Sequence, residues 1–201
     1  MDISQPHLAR DVSPDIAAME ASPAMPSILV VMGVSGSGKS TIGTQLALQL
    51  HWEFEDGDWF HPARNIDKMQ AGIPLTDEDR APWLIAIADF IDQARLSGRH
   101  AVVACSALKR RYRTVIVGNR PDVRLIYLQG SMELIARRIA ARHEHFMPQG
   151  LLQSQFDALE EPGPAEHPIV VSIEPRPREI VSKILDTLRA QSGEPDAART
   201  R

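Results

Sequence analysis

Short apolar runs alternate with longer amphipathic stretches between residues 28 and 190. The short runs are rich in β-branched residues, and four of the five are apolar almost throughout, as expected of strands that are covered on both faces. Strands that alternate with helices are typical of βα units around a parallel sheet, so we predict an α/β fold. The predicted strands are Ile28–Met32, about Glu53–Asp56, Ala101–Cys105, Arg124–Leu128 and Ile169–Ile173.

The stretches between these strands repeat apolar residues at helical spacing. Three of them, Lys39–Leu50, Trp83–Leu96 and Met132–Arg142, each carry one apolar stripe that can cover a face of the sheet. Weaker patterns predict further helices at about Pro62–Gln70, Ala107–Val117, Leu151–Leu159 and Arg178–Leu188.

The two ends of the chain differ from this central part. Residues 1–27 are rich in Ser, Pro and Ala, and residues 191–201 are similar, so we predict a flexible extension and a flexible tail around one domain at 28–190. Residues 1–27 lack the basic start and the continuous apolar region of a secretory signal, and no stretch approaches the roughly 20 apolar residues of a membrane span. We therefore expect a cytoplasmic protein without a membrane partner.

Composition narrows the possible ligands. A chain of 201 residues with 43% hydrophobic and 24% charged residues suits one globular domain. The formal net charge of -4 argues against bulk affinity for nucleic acid or for an anionic membrane, because both need an excess of Lys and Arg. The single cysteine, Cys105, excludes an intrachain disulfide and is compatible with a reducing compartment. Any anion must therefore be bound locally.

The turn after the first strand has the composition of a phosphate-binding loop. Gly33, Gly38, Lys39 and Ser40 fill the pattern G-x-x-x-x-G-K-[ST] between a buried strand and a helix. Lys39 can reach the β- and γ-phosphates of ATP, Ser40 can coordinate Mg²⁺, and Thr41 is placed toward the α-phosphate. A Gly-rich turn without a ligand is the alternative. The predicted ATP site comprises Gly33, Val34, Ser35, Gly36, Ser37, Gly38, Lys39, Ser40 and Thr41.

Two aspartates follow the second predicted strand. Ligands of open α/β sheets bind beyond the carboxyl ends of strands, and residues two apart in an extended segment face the same side. Asp56 and Asp58 could therefore share one site, with Asp56 as an outer-sphere partner of Mg²⁺ and Asp58 as the residue that binds and deprotonates an acceptor hydroxyl. A polar DGD turn without a catalytic role is equally consistent with the spacing.

Three cations are candidates for binding the acceptor. Arg80 lies in the first turn of a predicted helix, where the helix dipole disfavours a cation, so it has another partner: an acceptor anion or a surface ion pair with Asp77 or Glu78. Lys109 and Arg113 are four apart after the third strand, which predicts that they converge on one anion. The short basic cluster around them is too isolated to indicate nucleic-acid binding.

Residues 137–150 have the composition of a mobile lid. A basic helix end is followed by His, Phe and Met and then by Pro and Gly. We expect Arg138 to contact ATP and Arg142 to act catalytically by stabilising charge on the transferred phosphoryl group while the lid excludes water. His143 and His145 are not predicted to bind a metal, since no third ligand is nearby.

Four stretches together resemble the gluconokinases of the small P-loop type: MGVSGSGKST, DGDWFHPARNIDKMQAGIPLTDEDRAPWL, CSALKRRYR and HFMPQGLLQSQFDALEEP. The resemblance covers about residues 28–188. Many nucleotide-binding proteins share the phosphate loop, whereas the combination with the other stretches is specific to this family. In the lid the family usually reads R-x-G-H-F, and here Glu144 stands in place of that glycine.

The resemblance implies a fold and an activity. The fold is that of P-loop NTPases, an adenylate-kinase-like three-layer sandwich with a five-stranded parallel sheet in the order 2-3-1-4-5 and a mobile lid. The activity is ATP- and Mg²⁺-dependent phosphorylation of D-gluconate at its 6-hydroxyl, by a homodimer, feeding the pentose phosphate or Entner–Doudoroff routes. Carried onto this chain, Arg80, Lys109 and Arg113 would bind gluconate while its 6-hydroxyl faces Asp58.

Three alternatives stay open. A shikimate kinase has the same loop, a D-x-D pair and a carboxylate substrate, but a glycine-rich turn where this chain has CSALK. A nucleoside monophosphate kinase needs cations for an acceptor phosphate, and the DGD pair argues against a phosphate there. A module that holds ATP without transferring phosphate would be favoured by loss of the acceptor carboxylates, and Asp56 and Asp58 are both present.

Overall fold

A five-stranded parallel sheet forms the centre of the molecule. The structure is a computed structural model that describes residues 25–141 and 149–193. The strands lie in the order β2-β3-β1-β4-β5, which confirms the predicted order 2-3-1-4-5. Their bounds are β1 Ile28–Met32, β2 Glu53–Asp56, β3 Ala101–Ala104, β4 Val123–Gln129 and β5 Ile169–Ser172.

Helices follow each strand and cover the sheet. Their bounds are α1 Lys39–Leu50, α2 Ala63–Gln70, α3 Asp77–Leu96, α4 Arg110–Ile116, α5 Met132–Ala140, α6 Gln149–Asp157 and α7 Pro177–Ser192. Two 3₁₀ turns lie at Gly57–Phe60 and Pro164–Glu166. In the part of the chain that the structure describes, no helix is long and apolar enough to cross a membrane.

The two faces of the sheet bury two separate hydrophobic clusters. In β1, Leu29 and Val31 belong to the cluster under α1 and α7, whereas Ile28, Val30 and Met32 belong to the cluster under α3 and α4. All five side chains are fully buried. This explains the continuous apolar run of β1, because alternate side chains point to opposite, equally covered faces.

Helices α3 and α4 begin three or more residues from their predicted starts, for local reasons. Helix α3 begins before Trp83 because Thr76 and Asp79 form a capping box, in which the Thr76 hydroxyl accepts from the Asp79 N–H and Asp79 accepts from the Thr76 N–H. Helix α4 begins after Ala107, whose φ of 44° is not helical. Lys109 is consequently the residue that precedes α4 and not a member of its first turn.

Candidate active site

The phosphate loop connects β1 to α1 in the predicted context. Gly36 and Gly38 have φ values of 82° and 101°, which residues with a Cβ rarely adopt. Gly38 is the N-cap of α1 and provides no side-chain cap, and the first turn of the helix has no acidic residue. The N–H groups at the start of α1 therefore lack a side-chain acceptor and can bind an anion, with the helix dipole adding to the attraction.

Lys39 is the first residue of α1 and lies against this loop. Its ammonium group donates to the Val34 carbonyl at 3.3 Å, and the residue is half-buried. Burial lowers the pKa of Lys39, while the carboxylates of Asp58 and Asp56 act in the opposite direction. Both acidic residues are therefore close enough to the ammonium group to interact with it electrostatically. The loop, its lysine and the acidic pair lie at one end of the sheet.

The acidic pair is brought together, but not in the way the sequence suggested. Asp56 ends β2, and its carboxylate accepts from the Ser40 hydroxyl at 2.7 Å and from the Asp58 N–H at 3.1 Å. Asp58 lies in the 3₁₀ turn that Asp56 caps. The prediction that both residues belong to one extended segment is therefore wrong, because the Asp56 carboxylate folds the chain at Gly57. The Asp58 side chain remains exposed, so it is accessible to an acceptor.

Tight packing fixes this turn. A Cβ on Gly57 would lie 2.6 Å from the Ala104 carbonyl oxygen of β3, so only glycine fits between the two strand ends. The Trp83 indole N–H donates to the Gly57 carbonyl at 2.6 Å, which ties the turn to α3. The His61 ring stacks on Trp83 with ring centroids 4.4 Å apart.

His61 is a site residue that the sequence analysis missed. Burial lowers the pKa of His61, Asp58 acts to raise it, and Arg80 acts to lower it further, so an acidic and a basic residue of the candidate site both act on the imidazole. The fully buried Asn65 amide donates to the Asp79 carbonyl at 2.8 Å, and its nitrogen lies 3.3 Å from His61 Nδ1. That nitrogen can donate to Nδ1 only when His61 is the Nε2–H tautomer. His61 and Asn65 are the first and last residues of the stretch HP-x-x-N. They lie close together because α2 begins between them, at Ala63.

Two of the predicted acceptor cations, Arg80 and Lys109, lie in the first part of α3 or contact it. Arg80 is half-buried in the first part of α3 and donates to the Leu75 carbonyl at 2.6 Å, and within the described residues no carboxylate lies within 4.0 Å of it. The Lys109 ammonium group lies 3.0 Å from Asp77, a residue that Arg111 and Tyr112 also contact. The hydrogen bond from Tyr112 and the one from Lys109 lower the pKa of Asp77 to about 2.

Arg113 does not belong to this group. Its side chain is 2% exposed and forms a fork with Glu166, with nitrogen–oxygen distances of 2.6 and 2.9 Å. The remaining nitrogen donates to the Ala107 and Leu108 carbonyls. The prediction that Lys109 and Arg113 converge on one anion is wrong, because α4 begins after Lys109 and the two side chains bind different carboxylates. Arg113 is therefore not a free substrate cation.

Of the two arginines predicted in the lid, Arg138 is among the residues that the structure describes. The Arg138 guanidinium donates to the Ile173 carbonyl just beyond β5, at the same end of the sheet as the phosphate loop. Arg142 lies outside the described residues. On the far side of that gap, Gln155 of α6 contacts Ser35 of the phosphate loop. The sequence LLQSQF does not predict this contact, because helical spacing does not specify which distant loop a glutamine side chain contacts.

The oxygen ligands of this site suit Mg²⁺ that arrives with a nucleotide. Ser40 and Asp56 provide a hydroxyl and a carboxylate 2.7 Å apart, and Mg²⁺ prefers such oxygen ligands together with substrate phosphates. In residues 25–141 and 149–193, no three His, Cys, Asp or Glu side chains are grouped as a metal site. Cys105 is buried, and burial raises the pKa of its thiol to about 12.

Fold and site together define a P-loop kinase, and residues 35–189 match a family model described as shikimate kinase. The chain is 43% identical over 166 residues to the gluconokinase of Gluconobacter oxydans strain 621H, which covers 83% of this chain and 93% of that protein. The crystal structure of a gluconokinase from Sinorhizobium meliloti 1021 has a TM-score of 0.75 and 42% identity, over 85% of this chain and 95% of that one. The chain belongs to the gluconokinase family.

Solved shikimate kinases are more distant. The enzyme from Acinetobacter baumannii in complex with shikimate has a TM-score of 0.53 and 21% identity, over 85% of this chain and 96% of that one. At that identity the likeness shows the fold alone. The curated gluconokinase and the solved gluconokinase therefore support membership of the gluconokinase family over the shikimate kinase alternative.

Proposed function

We propose that this kinase transfers the γ-phosphoryl group of ATP to the 6-hydroxyl of D-gluconate, giving 6-phospho-D-gluconate and ADP. The observation that carries the proposal is the arrangement of Lys39, Ser40, Asp56 and Asp58 at the mouth of the phosphate loop, in a chain that shares 43% identity with a gluconokinase. An anion-binding loop next to an exposed carboxylate is what phosphoryl transfer to a hydroxyl requires.

The nucleotide would bind along the phosphate loop. Those backbone N–H groups between Gly33 and Thr41 that have no partner in the protein would surround the phosphates, and the Lys39 ammonium group would neutralise the β- and γ-phosphates. Ser40 and Asp56 would hold Mg²⁺, the first directly and the second in the outer sphere. An ion held by these residues would supply positive charge that stabilises the charge developing on the phosphates. The Asp56 carboxylate already holds Ser40 and Asp58 close to each other, because it accepts from the Ser40 hydroxyl and from the Asp58 N–H.

The acceptor would bind against the acidic turn and α3. Its carboxylate pairs with Arg80 and Lys109, and Lys109 exchanges the Asp77 carboxylate for that of the substrate. Asp58 then faces the 6-hydroxyl. As the hydroxyl oxygen bonds to the γ-phosphorus, its proton passes to Asp58, the bond from the γ-phosphorus to the bridging oxygen breaks, and ADP leaves with that oxygen. Arg142 as a stabilising cation, Arg138 as an ATP contact and a homodimeric assembly stay predictions.

The test is ADP release from Mg-ATP with D-gluconate, with shikimate and without an acceptor. We expect gluconate-dependent release and background rates in the other two reactions. Release with shikimate but not with gluconate would favour the shikimate kinase alternative. ATP binding without acceptor-dependent release would favour a non-catalytic module.

A further inference from the structure

Gln155 binds the phosphate loop through both ends of its carboxamide. Its Oε1 accepts from the Ser35 N–H at 2.7 Å, and its Nε2 lies 3.0 Å from the Ser35 hydroxyl oxygen. The two residues are 120 positions apart in the sequence. Donor and acceptor are matched at both contacts, so neither polar end of the carboxamide is left without a partner.

The helix that carries Gln155 is anchored to the core. Leu152 of α6 is 5% exposed and belongs to the hydrophobic cluster that also contains Ile135 of α5. The next loop residue packs on α5, because a Cβ on Gly36 would lie 2.7 Å from the Ile139 side chain. Helix α6 thus contacts the loop at Ser35, and helix α5 packs against it at Gly36.

This contact orients the loop backbone. The Ser35 N–H is paired with Gln155, and the carboxamide is neutral, so it satisfies this donor without adding a charge that would repel a triphosphate. Fixing one peptide unit of a short loop also restricts its neighbours, and a preformed binding loop loses less conformational freedom when the ligand binds.

We infer that Gln155 is a positioning residue of the nucleotide site, whose carboxamide clamps Ser35 and holds the phosphate loop in the conformation that receives ATP. The inference rests on the loop's proposed role as the ATP site, and it does not depend on which acceptor is phosphorylated. Gln155 acts through the loop backbone and is not assigned a contact with the reacting atoms.

The experiment compares Gln155→Ala with Gln153→Ala. Gln153 is a matched control, because it lies on the same helix, is exposed and donates only to Asp157 at 2.7 Å within the described residues. The dissociation constant of ATP is measured by calorimetry, and KM for ATP and for D-gluconate by steady-state kinetics. Losing two partly buried hydrogen bonds should weaken ATP binding about 5- to 30-fold in Gln155→Ala and leave Gln153→Ala within about twofold.

A double-mutant cycle with Ser35→Ala tests whether Gln155 affects ATP binding through its contacts with Ser35. Ser35→Ala removes the hydroxyl contact and keeps the N–H contact, so Gln155→Ala should weaken ATP binding less in that background than in the parent. KM for gluconate should stay within about twofold in both variants. Additive effects would contradict action through Ser35.

Three other results would overturn the inference. Tighter ATP binding in Gln155→Ala would mean that the carboxamide competes with the nucleotide. An ATP affinity equal to that of Gln153→Ala would mean that the clamp has no effect on binding. A lowered unfolding temperature with equal rises in both KM values would indicate a merely structural role. Failure of the parent protein to phosphorylate gluconate while it binds ATP would refute the proposed function and leave this inference intact.

Discussion

Removing the Glu166 carboxylate should lower the free energy of unfolding without changing KM for gluconate. In Glu166→Ala, the buried Arg113 guanidinium loses the fork with nitrogen–oxygen distances of 2.6 and 2.9 Å. Hydrogen bonds to charged groups contribute about 1.5–3 kcal/mol each. Because Glu166 is 18% exposed and Arg113 keeps two carbonyl acceptors, we expect a smaller loss in the free energy of unfolding, about 2–4 kcal/mol in total.

Urea denaturation of the parent, Glu166→Ala and Asp186→Ala measures this loss. Asp186 pairs with Arg189 on the surface of α7 at 3.4 Å, with both side chains at least half exposed, so its removal should change the free energy of unfolding by less than about 1 kcal/mol. KM for gluconate should be unchanged in both variants. If Glu166→Ala costs no more stability than Asp186→Ala and instead alters KM for gluconate, Arg113 binds the substrate and is not a structural partner of Glu166.

Further predictions concern the catalytic residues, the packing and the acid stability. Lys39→Ala should abolish turnover, since it removes the cation at the phosphates; gluconate turnover within a few-fold of the parent would contradict this. Asp58→Asn should lower kcat far more than ATP affinity, and an equal loss of ATP affinity, measured by calorimetry, would place Asp58 with the metal. Gly57→Ala should lower kcat and the unfolding temperature together, because its Cβ would meet the Ala104 carbonyl oxygen at 2.6 Å; a parent-like variant would show that the turn can shift freely. The hydrogen bond from Lys68 and that from the Thr76 backbone lower the pKa of Asp79 from 3.8 to about 2, so this stabilisation is complete above pH 4 and is lost as the pH falls toward 2. Denaturation at pH 5 and pH 3 should show a smaller loss in Asp79→Asn than in the parent, and equal losses would contradict the assignment.

Local chemistry explains what could be predicted from the sequence. The phosphate loop depends on residues within one turn between a strand and a helix, so its pattern sufficed. The strands of the sheet were recognisable because both faces are covered and the apolar runs are continuous. The order of the strands required the resemblance to a family, since periodicity does not specify which strands are neighbours.

The contacts that could not be predicted join distant parts of the chain. Arg113 meets Glu166 across 53 residues, and Gln155 meets Ser35 across 120. Helical spacing predicts that Lys109 and Arg113 share a face if the helix begins at Ala107. One residue with a left-handed φ moved the start of α4 and separated the two cations. Errors of this kind are expected where a backbone irregularity lies beside a functional residue.

The most direct test of the central claim is the identity of the product. The protein is incubated with Mg-ATP and D-gluconate, and the product is analysed by phosphorus NMR with detection of coupling to carbon-bound protons. We predict one phosphomonoester signal coupled to the two protons on carbon 6, formed in equal amount to ADP. Inorganic phosphate as the only new phosphorus signal besides ADP, or an ester at another carbon, would contradict the account.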